Sequence, residues 1–414
     1  MKRVIIIGGG PAGMMAAAVA AEQGARVTIV EKMDRPGRKL AITGKGRCNI
    51  TAAVEREQLI KGYPGNGRFL YSAFSELSNY DLIEFFNKQG LETKVERGNR
   101  VFPVSDDAHQ VVDVLYKLVQ ELGVKLLTAT TVKSLRINDK AIVAVVTDKG
   151  DLPAEAVIIC TGGMSYPGTG STGDGYSWAS EAGHNIIEPR PGLVPLTVAE
   201  SWVSELQGLS LKNVKASAYT EQGKRINEEF GEMLFTHFGL SGPIILSLSH
   251  DIGKYLFKNR QPVKVRIDLK PALNEEKLDM RLQGDLEKYS RKMFRNALGD
   301  LLPQKMIPVI IKLSEIDPDK ECNQITRAER LGLVKMLKSF TLTVNGTRPI
   351  AEAIVTAGGV DTKQINPKTM ESRLVKGLFF AGEVLDVDGY TGGYNLQAAF
   401  STGHVAGKYA AGLQ

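Results

Sequence analysis

Residues 3–32 read RVIIIGGGPAGMMAAAVAAEQGARVTIVEK, and this stretch decides the fold. Val4 to Ile7 are four β-branched residues in a row, which suits a strand buried on both faces of a parallel sheet. Gly8, Gly10 and Gly13 follow at once in the spacing G-x-G-x-x-G. In such a run the first glycine allows a tight turn, the second lets the main chain approach a diphosphate, and the third lets helix and strand pack closely. Pro11 falls near the helix start, where a missing N–H costs nothing. Met14 to Ala21 are small or straight-chained and favour helix. Gly24 ends the helix, Arg26 to Val30 form a second strand, and Glu31 closes it 23 positions after Gly8 (31 − 8). A carboxylate there accepts hydrogen bonds from a ribose, while the helix N-terminus holds the diphosphate. The unit predicts dinucleotide binding.

The chain has 414 residues, enough for two or three domains. Its 43 glycines lie in short clusters and not in a repeat, which reads as main chain approaching a ligand. The net charge of +6 is modest for this length and allows anionic partners without requiring nucleic acid. Cys48, Cys160 and Cys322 form no C-x-x-C pair, which argues against a disulfide framework or a cysteine relay and favours a reduced, cytoplasmic setting. Lys2 and Arg3 precede an apolar run, but it breaks after four residues at Gly8, unlike a signal peptide. No apolar stretch reaches the length of a membrane span, and no metal site is expected.

The glycine-rich loop of residues 33–51 carries Arg35, Arg38, Lys39, Lys45 and Arg47 among Gly37, Gly44 and Gly46. It places cations directly after the ribose-binding position, or else is a solvated basic loop. Residues 67–122 read as mainly helical, with the best-marked helix over 106–122 capped by Ser105. Val132–Ile137 and Ala141–Thr147 predict a hairpin, and Ala156–Cys160 a buried strand ending in Thr161-Gly162-Gly163. Gly168, Gly170 and Gly173 spell a second G-x-G-x-x-G, but seven residues separate it from the strand, so a loop covering the cofactor is the preferred reading over a second dinucleotide site. Pro189, Pro191 and Pro195 mark a boundary. Beyond it, strands are expected at 193–198, 216–220 and 263–269, and long charged helices over 274–298 and 303–338. The basic run Lys288 to Arg295 reads as a solvated helix face. From residue 350 the β pattern returns. After Gly392-Gly393 a long helix is expected from Asn395, a good capping residue.

The segments TGKGRCNIT, TGGMSYPGTGSTGDGY, THFGLSGP and AGEVLDVDGYTGGYNLQAA resemble the bacterial aminoacetone-oxidase-like family of FAD-binding oxidoreductases, which takes in a reductase of carbon–carbon double bonds in bile-acid intermediates. The resemblance implies an α/β fold: a Rossmann-type FAD-binding domain of the glutathione-reductase type, over 1–192 and 350–414. It is interrupted over 193–349 by an inserted substrate or cap domain with a β-barrel-like and a helical part. It implies non-covalent FAD. Gly8, Gly10, Pro11, Ala12 and Gly13 would hold its diphosphate and Glu31 its ribose. Lys32, Arg38, Lys39, Gly44, Gly46, Arg47, Cys48 and Asn49 would line it, and Val132 would meet the adenine. Thr161, Gly162, Gly163, Gly382, Glu383, Gly393, Tyr394, Asn395 and Leu396 would complete the site.

These readings predict an FAD-dependent oxidoreductase of a small organic substrate bound between the FAD domain and the insert. Two reactions compete: NAD(P)H-linked reduction of an unsaturated or carbonyl compound, with NAD(P)H as transient electron donor, and oxidation of a small amine or alcohol by oxygen. A redox-sensing or RNA-associated flavoprotein is the third reading, and no nucleic-acid partner is expected. In flavin chemistry the cofactor moves the hydride and the protein positions the reactants. His237, Arg47 and Tyr166 are the candidate catalytic side chains, each with a packing or cofactor-binding alternative.

Overall fold

The computed structural model describes residues 1–412. The chain forms two compact units: residues 1–192 with the segment from Ile350 onward, and Leu193–Pro349.

In the larger unit, Arg3–Ile7 is the middle strand of a five-stranded parallel sheet. The order across it is Leu378–Phe380, Ala156–Ile159, Arg3–Ile7, Arg26–Val30, Lys125–Leu127. Val4 to Ile7 are all buried, as an unbroken apolar strand requires. Helix Pro11–Glu22 buries every residue from Ala12 to Ala20. The last helix, Tyr394–Ala410, lies against it at main-chain distance. A Cβ added at Gly403 would stand 2.3 Å from the Ala12 carbonyl oxygen, and one at Gly407 would stand 2.4 Å from that of Ala16. The strands flanking the insert, Ile186–Gly192 and Val355–Val360, pair antiparallel and bring Gly192 opposite Val355. The chain therefore leaves and re-enters this unit through neighbouring residues.

The smaller unit contains a closed barrel of six strands: Leu196–Val198, Gly239–Ser241, Arg225–Thr236, Ser210–Tyr219, Val263–Asp268 and Phe340–Thr347. Ala216, Ala218, Val263, Val265, Ile267, Leu342 and Val344 alternate inward and are buried. Helix Pro243–Asn259 and the segments of 275–338 complete the unit.

Five local expectations are corrected. The helix expected over 274–298 spans Glu275–Lys288, so the basic run Lys288 to Arg295 starts at its last residue and otherwise lies beyond its end, not on a helix face. Residues 67–122 include two strands, Thr93–Glu96 and Arg100–Pro103, which pair with each other, the second also with Thr51–Ala52. The helix expected from residue 106 spans Ala108–Glu121 and is capped by Asp107, not Ser105. The Asp106 carboxylate is taken by Arg47 (2.6 Å) and Lys94 (2.8 Å), which holds that residue out of the helix at φ 57°. The helix expected over 303–338 is broken into Ile307–Ser314 and Arg327–Lys338, because Asp317-Pro318-Asp319 interrupts it and Thr326 with Glu329 forms a new capping box. Asn395 does not cap the last helix, which starts at Tyr394 after Gly393. Its side chain instead clasps Gly389, accepting from N–H and donating to C=O, both at 2.8 Å. The strand Arg225–Thr236 was missed because its charges mask the alternation. Among the described residues no helix is long and apolar enough to cross a membrane, and no cluster of potential metal ligands occurs.

Two predictions follow from packing. Gly407→Val would drive a branched side chain into the Ala16 carbonyl; a loss of about 1–3 kcal/mol is expected, read from the denaturant midpoint. The ring of His184 is buried between the Ala179 carbonyl (3.2 Å) and Ser372 Oγ (2.8 Å), and burial holds its pKa below the ordinary 6.5. The unfolded chain therefore takes up this proton first. The stabilising effect is complete above the unfolded value and is lost as pH falls through the folded one. Urea midpoints should drop on acidification below about pH 6.5, and less steeply in His184→Gln. His404, also held low by burial, adds in the same direction.

Candidate cofactor site

The parallel strands Arg3–Ile7, Ala156–Ile159 and Leu378–Phe380 lie side by side in register. Their carboxyl ends bring together Gly8, Thr161 to Gly163, and Gly382, segments far apart in the chain. The first three glycines do different jobs. A Cβ at Gly8 would stand 2.6 Å from the Cys160 carbonyl oxygen, and one at Gly13 only 2.0 Å from that of Gly8. A Cβ at Gly10 would meet nothing within 4 Å. Gly10 is the N-cap of helix Pro11–Glu22, which has no side-chain cap and no acid in its first turn. No side chain of the helix takes its first N–H groups, which are left for an anion.

The Glu31 carboxylate accepts from Gly9 N–H (2.7 Å) and from Met33 N–H (2.8 Å). It holds the glycine turn in shape and keeps lone pairs for a ribose hydroxyl. Lys32 donates to Asp174 (2.7 Å) and to Thr172, tying the strand end to the second glycine run. That run is no second nucleotide turn. Gly168 lies in a short 3-10 turn, and the helix that follows, Asp174–Glu181, leads into the antiparallel strand Ile186–Gly192.

Lys39 donates to Ser165 Oγ and Glu383 Oε2, both at 2.7 Å. Glu383 Oε1 accepts from Thr356 N–H (2.7 Å) and Ser165 Oγ (3.1 Å). Thr356 Oγ1 in turn accepts from Met164 N–H (2.8 Å) and Ser165 N–H (3.2 Å). This network fastens the Lys39 helix, the 161–166 loop and the Glu383 turn to one another. Ser165 lies inside the quoted TGGMSYPGTGSTGDGY segment but was not singled out, and Thr356 lies in none of the quoted segments. A Cβ at Gly163 would strike Thr356 Oγ1 at 2.3 Å, so glycine there admits the network.

The other expected residues are placed as follows. Gly44 and Gly46 lie at a kink in Arg38–Gly46. Cys48 is buried, and burial raises its thiol to about 12, so it stays protonated near neutrality. Val132 begins the strand Val132–Asn138, and the nearby Thr130 N–H donates to the Glu31 carbonyl (3.1 Å). Gly382, at φ 77°, packs on Ala12. Gly393 lies against the Thr51 main chain, where an added Cβ would come within 2.4 Å. The Tyr394 ring stacks edge-on against Tyr63, and Leu396 is half-buried behind it. Arg38 pairs with Asp34 at the surface (3.2 Å). The Arg47 guanidinium is taken up by Glu96 and Asp106 and lies 4.1 Å from the Phe102 ring centre. Tyr166 is exposed at φ 52°. His237 is exposed in the turn between two barrel strands, its ring edge-on to Phe238.

Among the described residues, two buried side-chain atoms lack any hydrogen-bond partner: Asn49 Oδ1 and Thr161 Oγ1. Buried polar atoms left unpaired are costly, and both belong to segments expected to line FAD. Free N–H groups at Gly10, a ribose acceptor at Glu31 and these two orphans fit FAD.

The model of the HI0933-like protein Rossmann domain matches residues 2–409. The chain belongs to this family. Within reach of it, the chain is 33% identical to the 3-dehydro-bile acid delta(4,6)-reductase of Clostridium scindens over 413 residues, 99% of each chain. It is 34% identical to the ribosomal RNA dihydrouridine synthase of Escherichia coli over 401 residues, 96% of this chain and 95% of the other. Its fold is similar to that of the 3-ketosteroid-delta4-(5alpha)-dehydrogenase of Rhodococcus jostii, with a TM-score of 0.53 at 14% identity, covering 100% of this chain and 97% of that one. Like its family, the chain is an FAD-dependent oxidoreductase.

Glu31→Ala removes the acceptor of two main-chain N–H groups, and of the ribose if FAD binds as expected. FAD affinity should fall by about 1–3 kcal/mol, and by less in Glu31→Gln, measured by flavin fluorescence on titrating the apoprotein.

Proposed function

We propose that the protein catalyses NAD(P)H-linked reduction of a carbon–carbon double bond conjugated to a carbonyl group. The observation that carries this reading is the chemistry shared by two relatives matched over nearly the whole chain. A delta(4,6)-reductase of a 3-dehydro-bile acid saturates a double bond conjugated to a ring ketone. A dihydrouridine synthase saturates the uracil double bond beside a ring carbonyl. Saturating such a bond adds the equivalent of a hydride and a proton across it, and the two electrons come from a donor.

Bound FAD would supply the two-electron relay between donor and acceptor. The chain's own residues then have defined tasks. Gly10 and the helix behind it bind the diphosphate, Glu31 takes the ribose, and Asn49 and Thr161 take hydrogen bonds from the cofactor. The Lys39–Glu383–Ser165 network keeps the 161–166 loop and the Glu383 turn in position for the ribityl chain. Gly393 and Tyr394 set the last helix against the flavin ring. Tyr166 and His237, both exposed, are the candidates for delivering the proton.

A second reading concerns only the acceptor: a uracil ring in RNA in place of a free enone. It is supported by the match to an RNA-modifying relative and by charge. The inserted unit, residues 193–349, holds 24 Lys and Arg against 19 Asp and Glu, so +5 of the chain's net +6 lies there.

Anaerobic mixing decides among these. NADPH or NADH should bleach the flavin, and a 4,6-dien-3-one steroid or a uridine-containing ribosomal RNA transcript should then restore the colour faster than oxygen does. Bleaching by an amine or alcohol but not by either nucleotide would establish the oxidase reading instead.

A further inference from the structure

If electrons come from NAD(P)H, the nucleotide needs a place to bind, and the single β-α-β turn is already assigned to FAD. The second glycine run is built as a covering loop without that topology. The larger unit does hold a pocket of about 470 Å3, whose lining includes Ile60, Tyr63, Asn66, Arg68, Phe69 and Lys363.

Its walls divide by chemistry. Tyr63 is buried, its hydroxyl donates to the Tyr394 carbonyl at 2.6 Å, and its ring meets that of Tyr394 with centres 5.8 Å apart. Tyr394 opens the last helix, the one assigned above to the flavin ring. Tyr63 thus belongs both to the pocket lining and to the contact that holds that helix end. Phe69 and Ile60 extend the lining. Arg68 and Lys363 also line it, and both are exposed. Neither side chain makes an ion pair or hydrogen bond among the described residues, whereas Arg38, Lys39 and Arg47 are all partnered. Acidic residues neighbour the lining. Asn66 Nδ2 donates to Asp386 at its carbonyl (2.7 Å) and its carboxylate (2.9 Å), and a Cβ on Gly65 would stand 4.0 Å from Asp388 Oδ1. Asp361 accepts from the Lys363 N–H through its carboxylate. Two exposed cations beside a buried aromatic wall suit an anionic group at Arg68 and Lys363 and an uncharged ring against Tyr63 and Phe69.

We infer that this pocket binds the pyridine nucleotide donor, with Arg68 and Lys363 holding its phosphates and Tyr63 and Phe69 walling an uncharged ring. Arg68 supplies a planar fork for phosphate oxygens and Lys363 a point charge. The inference rests on the NAD(P)H-linked reading above. It makes the donor site a feature of the FAD-binding unit, separate from the second glycine run.

The test uses the FAD-loaded enzyme in anaerobic stopped flow, with flavin bleaching followed against NADPH and NADH concentration. In Arg68→Glu and in Lys363→Ala the donor concentration for half-maximal bleaching should rise by about tenfold or more, at unchanged FAD content and visible spectrum. Arg68→Lys should recover part of the loss. The dependence on salt should weaken in both charge-removing variants. Lys363→Ala changes only an exposed side chain and keeps the test valid if Arg68→Glu misfolds. Wild-type flavin that neither nucleotide bleaches overturns the reading on which this rests, and the inference with it. Wild-type bleaching that both variants match overturns the inference alone. So does a change confined to the reoxidation phase with the steroid or RNA acceptor, since the pocket would then belong to the acceptor.

Discussion

The site depends on the closeness of the first and last helices. Gly403 and Gly407 lie against the carbonyl oxygens of Ala12 and Ala16 with no room for a side chain. Because these helices touch main chain to main chain, strand Leu378–Phe380 can join the sheet beside Ala156–Ile159, and Gly382 can pack on Ala12. The Gly382 N–H is held in turn by Thr402 Oγ1 at 2.9 Å. Residues some 370 positions apart (382 − 12) thus complete one nucleotide-binding edge. A chain that ended early, or a last helix held off by one methyl group per turn, would lose half of that edge.

A second constraint is charge. The loop after Glu31 is rich in cations, yet most of them are spoken for. Lys39 is bound to Glu383, Arg47 to Glu96 and Asp106, and Arg38 to Asp34. The first of these is structurally the most telling, because its partners are about four-fifths buried and it joins three segments. A mostly buried ion pair whose carboxylate accepts three hydrogen bonds acts as a positioning device more than as a source of net stability. By contrast, Arg47 and its acids are solvent-accessible, and that cluster contributes little beyond fixing Asp106 outside the next helix.

The insert illustrates how one fold accepts another. Its entry and exit strands pair with each other in the larger unit, so the connection is closed before the barrel begins. The barrel then closes on itself, leaving no open edge. Each unit has its own buried core, which allows the smaller one to vary in surface chemistry without disturbing the nucleotide edge.

What the sequence determined by itself was local. The glycine spacing at 8, 10 and 13, the four β-branched residues before it and the acid at 31 are neighbours along the chain, so covalent geometry alone brings them to one turn. The same holds for the strand before Thr161 and for the two-part division of the chain, whose prolines sit at the crossing strands. What tertiary structure decided was partnership. A cation such as Arg47 is visible in sequence, but its acids lie 49 and 59 positions away, and only the pairing of Thr93–Glu96 with Arg100–Pro103 brings them near. Nothing local singles out Ser165 within its motif or Thr356 within its strand, and their role arises because two chain segments 191 positions apart share one carboxylate. Asp106 left its expected helix for the same reason. Local propensity is worth a few tenths of a kcal/mol per residue, less than a charged hydrogen bond that a distant residue supplies.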